Sequence, residues 1–125
     1  MSHEAYKRFV DEMVTVARRS VTADRVRANG HPVRTNERDL PLSKVEAALK
    51  GLFNRLSSDE RELLALALEE ERQSAVHGFA SFLEWATAAD EMTITWRGET
   101  FANSPFAAMH HDFISRLNGD EWENT

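Results

Sequence analysis

The chain has 125 residues, the length of one domain at most, and two independent cores are not expected to fit in it. Apolar residues make up 42% and charged residues 29%, which excludes the low-hydrophobicity signature of disorder, and the absence of cysteine excludes disulfides, thiolate metal sites and thiol nucleophiles. The net charge of −6 is unevenly placed: residues 1–56 hold eleven basic and seven acidic side chains and residues 57–125 four and fourteen, net +4 against net −10.

From Glu4 to about Ala28, Tyr6, Val10, Met13, Ala17 and Val21 recur at spacings of three and four, which predicts one amphipathic helix. Asn29, Gly30 and Pro32 end it, and residues 29–42 read as a loop. Ser43 and Glu46 have the spacing of a capping box, in which a hydroxyl and a carboxylate each satisfy the other's backbone N–H. A second helix follows with the stripe Val45, Leu49, Leu52 and Leu56, and Phe53 beside it. Ser57 and Glu60 form another capping box, opening a stripe of Leu63, Leu66 and Ala67.

A later stripe of Val76, Phe79, Leu83 and Ala86 lies about 220° around a straight helix from Leu63, at about 100° per residue. The chain is therefore expected to break near Gln73 and Ser74, the other arrangement being one central helix covered on both sides. Met92, Ile94 and Trp96 then alternate with Thr93 and Thr95, and Arg97–Gly98 supplies a tight turn into Glu99 to Phe101, a β-hairpin. Ser104 and Pro105 read as the N-cap and first residue of a last helix with the stripe Phe106, His110, Phe113 and Leu117, closed by Gly119. The expected fold is mainly α: a single domain over 1–125, a bundle of four or five helices with one short hairpin before the C-terminal helix.

Five histidines invite a metal or acid–base reading, built on His77, His110, His111 and Asp112. Spacing opposes a simple helical chelate, because successive helical positions diverge by about 100° and neither His110 nor His111 has a His, Asp or Glu four residues along. His110 is placed by its phase on the buried face, where burial disfavours its charged form. Asp112 and Arg116, four apart, are expected to pair along the helix surface.

No glycine belongs to a phosphate loop and no serine to a nucleophile elbow, which removes the familiar nucleotide-binding and acyl-transfer routes. The run Arg18, Arg19, Arg25, Arg27, Arg34 and Arg38 suits phosphates or carboxylates, but no aromatic residue between Phe9 and Phe53 offers a stacking platform for bases. Nucleic acid is disfavoured on that count and by the net charge. Contacts of Arg25, Arg27, Arg34 and Arg38 with Glu69, Glu70 and Glu71, within one chain or across a dimer, are the expected use of both runs.

Asp112, Phe113, Arg116, Gly119 and Trp122 read DFxxRxxGxxW. This pattern resembles the closing segment of a small uncharacterised bacterial domain family of unknown function. The resemblance covers the last third of the chain, taking in the Arg97–Gly98 turn, and departs from the family at Glu123, where a proline is expected. It implies no activity. Physically, Trp122 beyond Gly119 is placed to fold back and cover the core.

Phe79, Phe82 and Trp85 with Leu83 make one helix apolar over more than half its circumference, which points to burial on two sides or to a contact between molecules, such as a homodimer. The leading expectation is a non-enzymatic bacterial protein-interaction or regulatory protein, immunity- or antitoxin-like, whose acidic half complements a basic protein partner. A metal-binding protein or enzyme built on the histidines comes second, and an anion binder using Arg18 to Arg38 third. No cofactor and no membrane span are expected, and the expected location is the cytoplasm.

Overall fold

The structure, a computed structural model, describes residues 3–28 and 44–123. In chain order its elements are α1 (Glu4–Arg18), α2 (Val21–Arg27), α3 (Lys44–Arg55), α4 (Ser58–Ala89), β1 (Ile94–Trp96), β2 (Glu99–Phe101) and α5 (Met109–Leu117). The protein is mainly α-helical, with a two-stranded antiparallel hairpin before its C-terminal helix, as the periodicity predicts. None of the described helices is long and apolar enough to cross a membrane. Two compact units divide the chain: Met1–Arg18 with Arg72–Thr125, and Arg19–Glu71. The loop 29–42, the Ser43–Glu46 capping box, the Val45 side chain, Arg34 and Arg38 lie outside the described residues.

In the first unit the three-and-four spacing of Tyr6, Val10, Met13 and Ala17 gives α1 a continuous apolar face, and α5 and β2 pack on α1. Ala80 and Leu83 of α4 and Met109 and Phe113 of α5 complete this core, with Ile94, Phe101, Phe106 and Trp122 partly buried around it. The hairpin turns through Arg97 and Gly98 at φ 53° and 79°, the two successive left-handed residues of a primed two-residue turn. That turn fixes the register Ile94↔Phe101, Thr95↔Thr100 and Trp96↔Glu99.

In the second unit Ala23, Val26, Phe53 and Ala65 form a smaller core, lined by Leu56, Leu64 and Leu68. The Ser57–Glu60 box is present in both directions: the Glu60 N–H donates to Ser57 Oγ at 3.1 Å, and the Ser57 N–H donates to Glu60 Oε1 at 2.9 Å. These bonds hold the Glu60 carboxyl below its ordinary range.

Four sequence expectations need correction. The first helix does not run to Ala28 but stops at Arg18, because Ser20 is extended and its hydroxyl accepts the Ala23 N–H at 3.1 Å, starting α2 afresh. There is no break near Gln73: α4 is continuous over 32 residues. The residues it buries early are Ala65 with Leu64 and Leu68, whereas Leu63 is 70% exposed; Ala65 and Leu83 are eighteen positions apart, about five full turns, so no change of phase separates them. In α3 Phe53 is the buried residue, while Leu49 and Leu52 are exposed. The last helix begins at Met109 rather than at Pro105. Its start carries no local side-chain cap; instead the Glu84 carboxylate of α4 accepts the N–H groups of Met109 at 3.0 Å and Ser104 at 3.2 Å, a cap delivered from another helix.

Candidate functional site

Helical phase turns Asp112 and Phe113 inward together, and Asp112 is only 8% exposed. Its Oδ2 accepts hydrogen bonds from the Tyr6 and Ser104 hydroxyls, and Ser104 Oγ accepts the Phe106 N–H at 2.9 Å. The expected Asp112–Arg116 pair is absent, because both residues have tertiary partners. Arg116 Nε donates to Asp11 Oδ1 at 2.8 Å, its Nη1 donates to the Asp120 carbonyl at 2.7 Å, and its guanidinium lies 5.3 Å from the Trp122 ring centroid. Trp122 Nε1 donates to Asp11 Oδ2 at 3.2 Å. Gly119, at φ 89°, reverses the chain so that Trp122 reaches Tyr6 and Phe106, as its expected role in covering the core requires.

The DFxxRxxGxxW segment is thus a latch that closes the C-terminus onto α1. Burial above all, and then its bond to Asp112, push the Tyr6 hydroxyl far above its ordinary value of 10, so it remains a proton donor to Asp112 and is no phenolate nucleophile at neutral pH. The space enclosed by Phe106, Asp112, Arg116 and Trp122 is about 40 Å³, on the scale of a single water. A substrate has no room there.

The three histidines that sequence singled out do meet. The His77 ring of α4 stands edge-on to His110 of α5 with centroids 5.7 Å apart, and His110 and His111 are 4.4 Å apart. His110 Nδ1 is buried with no hydrogen-bond partner among the described residues. Asp112, the fourth member of that group, turns away to Tyr6. Among the described residues no three or more His, Asp or Glu side chains are arranged to hold a metal ion.

Of the residues proposed for interaction, Arg27 reaches both Glu62, through Nε and Nη2 at 3.0 Å each, and Glu69. The fork holds the Glu62 carboxyl below its ordinary range and the Arg27 guanidinium above its own. Glu70 and Glu71 are exposed, and Arg25 is half-buried.

Two surface features of the first unit stand out. Phe79, Phe82 and Trp85 are 56%, 52% and 59% exposed, and their rings follow one another along α4 at 6.2 Å spacings. Nearby, Met13 and Val16 of α1, Val76 and Phe79 of α4 and Trp96 of the hairpin line an open groove of about 700 Å³, with Glu12, Arg72 and Arg97 as its charged members. Sequence reasoning missed the groove, since Arg97 reads only as a turn residue and nothing in the pattern singles out Arg72. Phe79, read by its phase as a member of the stripe with Val76 and Leu83, is instead exposed and lines the groove.

No curated protein and no solved structure matches this chain. Residues 1–124 do match one set of related sequences, and the chain belongs to that family, DUF6547, a family of unknown function.

Proposed function

We propose that the protein is a non-enzymatic binding module that covers a basic surface of a partner protein, in the manner of an immunity or antitoxin-like regulator. The observation that carries this reading is the row Phe79, Phe82 and Trp85. Three large rings on consecutive turns of one helix are more than half exposed, in a unit whose other phenylalanine, tyrosine and tryptophan side chains are buried or partly buried. Isolated apolar residues on a surface are ordinary, but a contiguous aromatic strip is the composition of a binding hot spot.

Charge supports a basic partner. Residues 72–125 carry eight acidic and three basic side chains, net −5. Asp90 and Glu91 follow directly on Ala89, the last residue of α4, although the negative end of the helix dipole favours cations there. Glu91 also adopts φ 58°, a left-handed conformation that suits glycine. Two locally unfavourable carboxylates beside an aromatic strip are explained if lysine or arginine side chains of a partner meet them. The cytoplasm, where a cysteine-free chain is at home, is the place we assign to this encounter.

The test is affinity capture from the protein's own cells with the wild type and with Phe82→Glu and Trp85→Glu, both at exposed positions. A stoichiometric basic protein should be retained by the wild type, released when salt rises from about 0.05 M to about 0.5 M, and recovered at least about tenfold less well by either variant. Equal recovery by the variants would overturn the reading. So would sedimentation that shows only self-association of this chain.

A further inference from the structure

We infer that the groove formed by α1, α4 and the hairpin is a binding site for a small aromatic carboxylate. This goes beyond the protein-interaction reading and uses different residues, Phe79 apart. The volume of about 700 Å³ falls within the range of small-molecule sites, roughly 300–1,000 Å³. Its apolar lining is partly aromatic: Phe9 and Trp96 are in edge-to-face contact at 6.0 Å, and Phe79 of α4 is a third lining ring. Flat rings pack on such surfaces with offset or edge-on geometry.

The head group is set by charge. Residues 72–125 contain three arginines; Arg116 is held by Asp11, and the other two, Arg72 and Arg97, both line the groove. Neither is in an ion pair among the described residues. Each is nonetheless fixed in place. Arg72 Nε donates to the Val16 carbonyl at 2.8 Å, near the C-terminal end of α1, and the Arg97 guanidinium stacks 4.8 Å from the Trp96 ring centroid. Anchoring a guanidinium through one edge or one face lowers the entropy lost when its remaining N–H groups grip a carboxylate. Glu12 is the one acidic member of the lining, so two cations face one anion and the site is net positive within a net-negative unit. A cationic ligand is disfavoured by that excess, and a neutral one leaves both guanidiniums without an anionic partner.

Isothermal titration with 2-naphthoate tests this, with 2-naphthalenemethanol and 2-naphthylmethylamine as neutral and cationic controls. The expected dissociation constant for naphthoate is about 0.1–1 mM, a modest value in keeping with its size. Both controls should bind roughly tenfold more weakly or not at all. Arg97→Gln should weaken naphthoate roughly three- to tenfold, and Glu12→Gln should strengthen it by removing the competing carboxylate. Ala75→Phe, at an exposed lining position of α4, should crowd the groove and weaken naphthoate binding at least about tenfold while helical circular dichroism and melting temperature stay at wild-type values. Trp85→Glu, whose ring contacts Phe82 rather than the lining residue Phe79, should leave naphthoate binding unchanged, which separates the failure of this site from the failure of the protein-binding row. Equal binding of the three ligands, or naphthoate binding undiminished by Ala75→Phe, would overturn the proposal, as would the absence of any heat with naphthoate.

Discussion

The two units of this chain are held together by different means. The first, built from α1, the later part of α4, the hairpin and α5, buries Tyr6, Met109 and Phe113 almost completely and ties its polar groups across great sequence distances, Tyr6 to Asp112 and Asp11 to Arg116. The second, Arg19–Glu71, has a hydrophobic core of two alanines, a valine and one large side chain, Phe53, among its described residues, and its charged contacts include the exposed fork of Arg27 with Glu62 and Glu69. Exposed ion pairs contribute little because solvent and salt screen them, whereas buried rings and satisfied buried hydrogen bonds contribute much. The first unit should therefore be the more stable one, and it also carries the exposed aromatic row and the groove. Rigid support and the proposed binding surface coincide in it.

The largest expected effect comes from core truncation. Phe113→Ala should destabilise the first unit by about 3–5 kcal/mol, seen as an earlier urea transition in tryptophan fluorescence. Trp85, Trp96 and Trp122 all belong to that unit, so their emission reports on it alone. Phe53→Ala should instead lower helical circular dichroism before the tryptophan signal moves. Coincident transitions in Phe53→Ala would break the comparison and show one cooperative fold.

Tyr6 gives the next effect, through pH. Its folded-state value is raised above the ordinary 10 by burial and by Asp112, so the folded protein holds a proton that the unfolded chain releases. The associated stability is complete below about pH 10 and declines above it, by at most about 1.4 kcal/mol per pH unit. Tyr6 is the sole tyrosine. Tyrosinate absorbance should consequently appear only as the protein unfolds in alkali, and Tyr6→Phe should flatten the pH dependence of the urea midpoint above about pH 10. Free ionisation of Tyr6 in the folded protein near pH 10 would contradict its place in the latch.

Smaller effects sharpen the contrast. Ser20→Ala removes the cap of α2 and should cost about 1 kcal/mol in the second unit, with no change in tryptophan emission. Glu91→Gly should stabilise the first unit by roughly 0.5–1 kcal/mol, by relieving the left-handed φ and the unfavourable carboxylate, while weakening partner capture. A thermal melt and the capture assay together check both halves of that statement.

Short-range chemistry was the legible part of this molecule. The alternation around Ile94 and Trp96 with Arg97–Gly98, the Ser57–Glu60 box and the chain reversal at Gly119 are all written within a few residues of where they act. What failed depended on partners far along the chain. Ser104–Pro105 has the form of a helix start, but Ser104 is engaged by Asp112, and the N-terminal N–H of α5 is capped by Glu84, twenty-five residues earlier. Asp112 and Arg116 look like a surface pair until Tyr6 and Asp11, more than a hundred residues earlier, claim them. The α1–α2 break was hidden because the apolar period continues through Val21 without glycine or proline. At the candidate sites, residue types could name the histidines, yet only folding could show that His77 meets His110 while Asp112 leaves, or that Arg72 and Arg97 share a groove with Trp96.

On the proposed function, the latch maintains the fold and the row Phe79, Phe82 and Trp85 meets the partner. A single paired experiment addresses it: urea unfolding and partner capture measured side by side on Trp122→Ala and Phe82→Glu. Trp122→Ala should unfold at distinctly lower urea yet retain the partner under native conditions, and Phe82→Glu should unfold like the wild type and lose the partner. The reverse pattern, binding lost with the latch and kept without the ring, would contradict the account.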